Sequence, residues 1–325
     1  MRRLLAATLF ALALAFLLPP LLSPARTGEG PAPTAAPEET DAPAGDGLTL
    51  RVKTGEGVET MAMADYLTLA LAAEMPASFA PEALKAQAVA LRSYALHYRA
   101  APKAVHPEAD VCSDPGCCAA MLTETELRER WGERYDEYRA SLRRAVAETD
   151  GQTLCWEGQP ILAVFHASSQ GSTENGEALG LSAPYLVSVS TPETPETVNG
   201  LDTTVEVAPE DLAATLGRLD PEAAFSGAPE SWLGPVRLDD AGRVSAVALG
   251  GRSFSALTLR QAFALRSTDF TLTYDGAKFV FRVRGYGHGL GLSQHGANLM
   301  AKSGADYREI LAHYYPETSL SMSNE

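Results

Sequence analysis

Residues 151–167, GQTLCWEGQPILAVFHA, mark the point where the chain changes character. QTLCWEG and PILAVFHA are short runs rich in apolar and aromatic residues, separated by Gly158 and Pro160, and they predict a hairpin entering a sheet. Before this point the sequence has mainly helical spacing; after it, strand alternation prevails. The expected fold class is therefore α+β, a helical part followed by a β-rich part.

Upstream, ADYLTLALAAEMP (64–76) predicts a helix that begins near Asp65 and is stopped at Pro76, whose ring and missing N–H oppose continuation. APEALKAQAVALRSYALHYRA (80–100) predicts a second, with Pro81 in its first turn and Leu84, Ala88, Leu91 and Ala95 at helical spacing. Thr123 and Glu126 form a capping-box pair, after which Leu127, Trp131, Tyr135, Tyr138, Leu142 and Val146 draw one apolar face ending before Gly151. Downstream, GPVRLDDAGRVSAVALGG (234–251) and FTLTYDGAKFVFRVRG (270–285) alternate like strands around Asp-Ala-Gly and Asp-Gly turns. DYREILAHYYP (306–316) is expected to be a short closing helix.

The N-terminus reads Met1-Arg2-Arg3 followed by LLAATLFALALAFLLPPLL, close to the roughly 20 apolar residues a membrane-spanning helix needs. Residues 1–22 are thus expected to be a single transmembrane anchor with the arginines on the cytoplasmic side; a cleaved signal segment, with Ser23 and Ala25 at the cleavage site, is the alternative. Residues 23–47, rich in Pro, Ala, Gly and acid, form a linker, and residues 48–320 the folded domain, expected outside the cytoplasm. The 325 residues carry 41 acidic and 26 basic side chains, a formal charge of -15 that repels polyanions and argues against nucleic-acid binding.

Two carboxylates compete for a catalytic role. Glu82 lies in a first helical turn, where the helix macrodipole favours the charged form, so it is expected to be a stabilising charge. Glu74 lies at the opposite end of its helix among apolar neighbours, where dipole and burial both favour the protonated form that a general acid requires. A half-exposed helix-end glutamate is the plain alternative.

HPEADVCSDPGCCAAM (106–121) holds three of the four cysteines. His106, Cys112 and Cys118 fall six residues apart on a loop turned by Pro107, Pro115 and Gly116, a set that suits tetrahedral zinc. Outside the cytoplasm a disulfide, Cys112 to Cys118 or Cys118 to Cys155, competes equally. Consecutive side chains diverge, so Cys117 is not expected to share a small site with Cys118. A cysteine nucleophile is the least favoured reading, since no His with Asn or Asp stands nearby.

In RGYGHGLGLSQHGANLMA (284–301), glycines at 285, 287, 289 and 291 alternate with Tyr286, His288, Leu290 and Leu292. An extended conformation would leave one face of bare backbone, open to a sugar strand, a flat ligand or another backbone. Ser293 is placed to cap a helix starting at Gln294. The alternative is a packed glycine bulge with ordinary buried histidines at 288 and 295.

Four blocks in order, AAEMPASFAPEALKAQAVALRSYAL, FHASSQGSTENGEAL with PYLVSV, TLRQAFALRSTDFTL, and GYGHGLGLSQHGA with ILAHYY, closely resemble the stage II sporulation protein D family of endospore-forming bacteria, from about residue 48 to 315. The resemblance implies a membrane-anchored lytic transglycosylase that cleaves peptide-stripped peptidoglycan glycan strands during engulfment, leaving 1,6-anhydro-muramic ends, with an engulfment amidase as partner. It implies Glu74 as the catalytic residue and His106, Cys112 and Cys118 as ligands of a zinc ion, structural in role. It also implies that His166, Ser168, Ser169, Gln170 and Glu174, with Tyr286, His288, Ser293 and Gln294, line the glycan groove. Amidase-enhancer proteins share the domain, so a non-catalytic wall-binding modifier of an N-acetylmuramoyl-L-alanine amidase is the alternative function. His295, where relatives often carry Tyr, and ALGLSAPYL, which lacks an expected Trp, depart from the family pattern.

Overall fold

The computed structural model describes residues 46–322 as a mixed α+β protein. The anchor or signal segment and most of the linker lie outside the described residues. Among the described residues, no helix is long and apolar enough to cross a membrane.

The first helix, α1, is Met63–Glu74, and the second, α2, is Pro81–Ala100 with proline at its first turn. The loop between them is held by a turn from Phe79 N to Pro76 O. One face of α2 is built of alanines, and from Ala86 to Ala95 the helix is buried continuously. Small side chains let α1, the 152–156 strand and later helices approach its axis closely, so α2 becomes the centre of the larger apolar cluster.

The expected aromatic face is split. The capping box at Thr123 and Glu126 starts α3, Glu124–Trp131, as the sequence indicates. Gly132, at φ +51°, ends it, and a 3-10 turn leads into α4, Tyr135–Glu148. Leu127, Tyr135, Leu142 and Val146 still reach the core, whereas Trp131 and Tyr138 are only half-buried.

The hairpin at Gly151 forms, as Gln152–Trp156 with Gln159–Pro160, and Ser319–Met322 pairs along its other edge. Little of PILAVFHA is strand: after Pro160, only Phe165–His166 pairs, parallel to Leu292–Ser293. An earlier hairpin, Thr49–Thr54 with Gly57–Ala62, precedes the helices and receives Val111–Cys112 as a parallel third strand.

The β-rich part is not simply the second half of the molecule. Asp202–Val207, Phe270–Tyr274 and Phe279–Arg284 form one sheet, and Leu233–Leu238, Val244–Leu249 and Arg252–Ser255 another. Together with α5 (Pro209–Leu219) and α6 (Ala256–Ala262) they enclose a second apolar cluster around Phe279, Phe281, Leu212 and Leu259. After residue 285 the chain returns to the first cluster, where α7 (Gln294–Lys302) and α8 (Tyr307–Tyr314) pack on α2. The fold is thus a helical core interrupted by a β-rich insertion. Glu82 accepts from Tyr307 N at 3.0 Å and pairs with Lys85, so it tethers the start of α8.

Arg92 is fully buried on α2 and bridges Asp46, at the end of the linker, and Asp150, just before the hairpin, the latter at 2.7 Å. Arg92→Met leaves two carboxylates without their shared cation and is expected to destabilise by about 3 kcal/mol. Thermal unfolding checks this; a melting temperature equal to wild type would show that solvent already satisfies both aspartates.

Candidate active site

Three chain segments meet at the C-terminal end of α1. Met75 and Pro76 end the helix at Glu74, leaving its half-buried carboxyl at the helix's negative pole. Oε1 accepts from Ala120 N at 2.6 Å. Burial pushes the Glu74 pKa up to about 7, and the Ala120 amide and the Gln294 side chain pull it down only in part. Gln294 is the first residue of α7, capped by Ser293, and is itself buried; its Nε2 faces this region without a hydrogen bond of ordinary geometry to the protein. The loop after Glu74 is fastened to the same helix, through Ala80 N to Asn298 Oδ1 at 2.9 Å and through Phe79, edge-on to His295 with ring centroids 5.1 Å apart. Burial lowers the His295 pKa, and its ring serves there as an aromatic wall.

The loop that supplies Ala120 is the cysteine segment. All four cysteines are free thiols, which removes both disulfide pairings from the described structure. His106 Nδ1–H donates to Ala109 O at 3.3 Å, leaving Nε2 toward Cys118 Sγ at 3.4 Å. His106, Cys112, Cys117 and Cys118 bring one donor atom each to within 4.8 Å of one another. Contrary to expectation, Cys117 joins this set. The amides of Cys117 and Cys118 both donate to Asp114 O, at 2.9 and 2.8 Å, and Asp114 Oδ1 accepts from Gly116 N, so the turn curls tightly enough to point consecutive thiols to one place. Three thiols and an imidazole form a soft donor set suited to zinc. A free imidazole nitrogen fixed by a bond at the other nitrogen is the usual arrangement of a ligating histidine.

The residues expected to line a groove are placed differently. His166 is buried, and burial pushes its pKa well down; it donates from Nδ1 to Leu290 O at 3.0 Å and accepts at Nε2 from Ser169 Oγ at 2.7 Å. Ser168 pairs through its backbone with Tyr286, at 3.1 and 2.8 Å, while the Arg266 guanidinium stacks over the Tyr286 ring. Glu174 is buried with Arg243 Nε 3.0 Å away; burial outweighs that cation and raises its pKa to about 7. His288 accepts from Leu290 N at 3.0 Å, and burial takes its pKa down to about 4. Gln170 is half-buried, and its Oε1 has no protein partner. In this conformation His166, Ser169, Glu174 and Ser293 bond within the protein, and His295 N donates to Ala167 O at 3.0 Å, which ties the start of α7 to the serine loop.

The expected extended glycine strand is replaced by a looped path: Gly285, Gly287, Gly289 and Gly291 all have positive φ. Their bare faces are occupied by the 164–169 backbone and by Glu174 and Arg243. A Cβ on Gly291, at φ +63°, would lie 2.1 Å from Val164 O. Gly291→Ala is therefore expected to cost more than about 4 kcal/mol. Gly276→Ala shares the positive φ in open space and should cost about 1 kcal/mol. Equal melting temperatures for the two variants would refute the close backbone approach.

Glu193 has no sequence signal, since TPETPE reads as an exposed acidic turn. It is buried, and accepts from Ser169 N at 3.0 Å and from the hydroxyls of Ser293 and Thr191. One carboxylate thereby fixes both the serine loop and the cap of α7.

The family described as Stage II sporulation protein matches residues 52–156. Stage II sporulation protein D of Bacillus subtilis is 34% identical over 82% of this chain and 76% of its own length, and that of Bacillus amyloliquefaciens is 32% identical over the same shares. The amidase enhancer of Bacillus subtilis is 25% identical over 76% of this chain but 39% of its own length.

Proposed function

Because the chain belongs to the stage II sporulation protein D family, we propose that it is a lytic transglycosylase acting on peptide-stripped glycan strands of peptidoglycan during engulfment. The observation that carries the reading is Glu74, a single carboxyl whose pKa burial raises to about 7. An acid poised near neutrality protonates the glycosidic oxygen as the C1–O bond breaks. The same carboxylate then accepts the proton of the substrate's C6 hydroxyl as O6 bonds to C1, closing a 1,6-anhydro ring. No water enters, so one carboxyl does the work of the usual pair. Ala120 N orients Glu74, and the buried Gln294 side chain beside it partly offsets the rise in its pKa.

A zinc ion held by His106, Cys112 and Cys118 fits the donor chemistry and fixes the loop that carries Ala120. When bound, it supplies a structural cross-link. The proposed enzyme works on the extracytoplasmic face of the membrane, with residues 1–22 as its anchor and an engulfment amidase as its partner.

Mass spectrometry of peptide-free glycan strands after incubation with the protein tests this reading. Anhydro ends are expected; hydrated ends would show a hydrolase. The likeness to an amidase enhancer supports a second reading, a wall-binding modifier of an amidase, which predicts intact strands and a faster amidase.

A further inference from the structure

We propose that Glu193 is a positioning residue for the reaction: it holds the first turn of α7 in place, and through Gln294 in that turn it fixes the surroundings of the Glu74 acid. The assignment rests on Glu74 being the acid of the proposed lyase, and the experiment separates the two.

Glu193 follows the short Ser190–Thr191 strand and is buried. Donors converge on its carboxylate from three segments: Ser169 N at 3.0 Å, the Thr191 hydroxyl, and at the start of α7 the Ser293 hydroxyl and the Gly296 amide. An ionised carboxylate offers two oxygens that only accept, so it matches this set, whereas a side-chain amide would turn its own N–H groups toward other donors. The positive end of α7 favours the same charge. Gly296 makes the approach possible, since a Cβ there would lie 2.7 Å from Glu193 Oε2. Ser293 by itself is a long cap, 3.4 Å from Gly296 N, so the placing of this turn depends on the carboxylate.

The turn so held is the one that meets the acid. The Gln294 side chain hydrogen-bonds toward Glu74 and pulls its pKa down. His295 packs edge-on against Phe79, and Asn298 Oδ1 accepts from Ala80 N, both in the loop that leaves Glu74. His295 N is bonded to Ala167 O, in the same serine loop whose Ser169 amide Glu193 holds. One carboxylate thus sets α7 against both the serine loop and the end of α1.

The test is a double-mutant cycle on the full chain, read in two ways. In cleavage of peptide-free glycan strands, Glu193→Gln should lower kcat by roughly 10²-fold and keep KM within about threefold of wild type, because a misplaced acid slows the chemical step. Thermal unfolding at about pH 8 needs no turnover. There Glu74→Gln should raise the melting temperature of the wild-type background, since burial holds the carboxyl's pKa at about 7. In the Glu193→Gln background, where water reaches Glu74, the same substitution should raise it little. A general loss of stability would instead be additive and leave that increment unchanged, which would overturn the proposal, as would a wild-type kcat. A wild-type protein that forms no anhydro ends would overturn the lyase reading, and the melting increments would still decide whether Glu193 governs the surroundings of Glu74. Thr191→Val guards against misfolding, since it removes one donor to Glu193 at constant volume. It should lower kcat several-fold at unchanged KM; full activity in that variant would count against the proposal.

Discussion

Glu74→Gln is expected to abolish anhydro-end formation, by roughly 10³-fold or more, while the protein stays folded. Gln keeps the oxygen that accepts from Ala120 N and removes only the transferable proton. The pH dependence follows from the same carboxyl. With its pKa near 7, the fraction of acid falls as pH rises through neutrality, so strand cleavage should decline on the alkaline side. His166 and His288, both shifted down by burial, are already neutral there and add no limb of their own.

The stability that Glu74 contributes should fall with rising pH, as activity does. The folded pKa of Glu74 exceeds the ordinary value of 4.5, so the folded state binds this proton more tightly than the unfolded chain does. That contribution is complete below 4.5 and disappears as pH climbs through about 7. The Gln variant, neutral at every pH, should therefore match wild type in melting temperature at about pH 4 and exceed it at about pH 8. A lower melting temperature for Glu74→Gln at pH 8 would mean that the protein holds the carboxylate ionised, which would remove the acid from the mechanism.

What could be read from sequence was local chemistry. Pro76 stopping α1, Pro81 opening α2, the Thr123–Glu126 box and Ser293 capping α7 each depend on residues a few positions apart, and each is found in the structure. The glycine stretch shows where this kind of reading ends. Alternation alone could not distinguish a bare strand face from a loop, because the choice depends on Val164 and Ser168, more than 110 residues earlier, pressing against it. Glu193 was hidden for the same reason: its burial comes from Ser169 and Ser293, which flank it only in space. Cys117 was misjudged by a rule about neighbouring side chains that the turn around Asp114 evades. Glu74 was legible because helix end, proline and apolar context all lie within a few residues, whereas its partner Ala120, acting through a backbone amide, leaves no trace in residue identity.

Removing the metal is expected to have the second large effect, and it distinguishes support from chemistry. A loop tied to a bound ion through His106, Cys112 and Cys118 should unfold locally when the ion is chelated, because binding free energy and folding free energy are linked. The melting temperature should fall by on the order of 10 °C. Ala120, two residues beyond Cys118, would then no longer be held against Glu74, and a misplaced acid should slow cleavage by roughly 10²-fold. Hydrogen exchange gives the decisive reading. On chelation the Ala120 amide should lose protection together with activity, while Phe270–Tyr274 in the second apolar cluster keeps its protection. Loss of activity with Ala120 still protected would instead place the metal in the reaction, as the source of an activated water, and would replace the lyase by a hydrolase whose products carry hydrated ends.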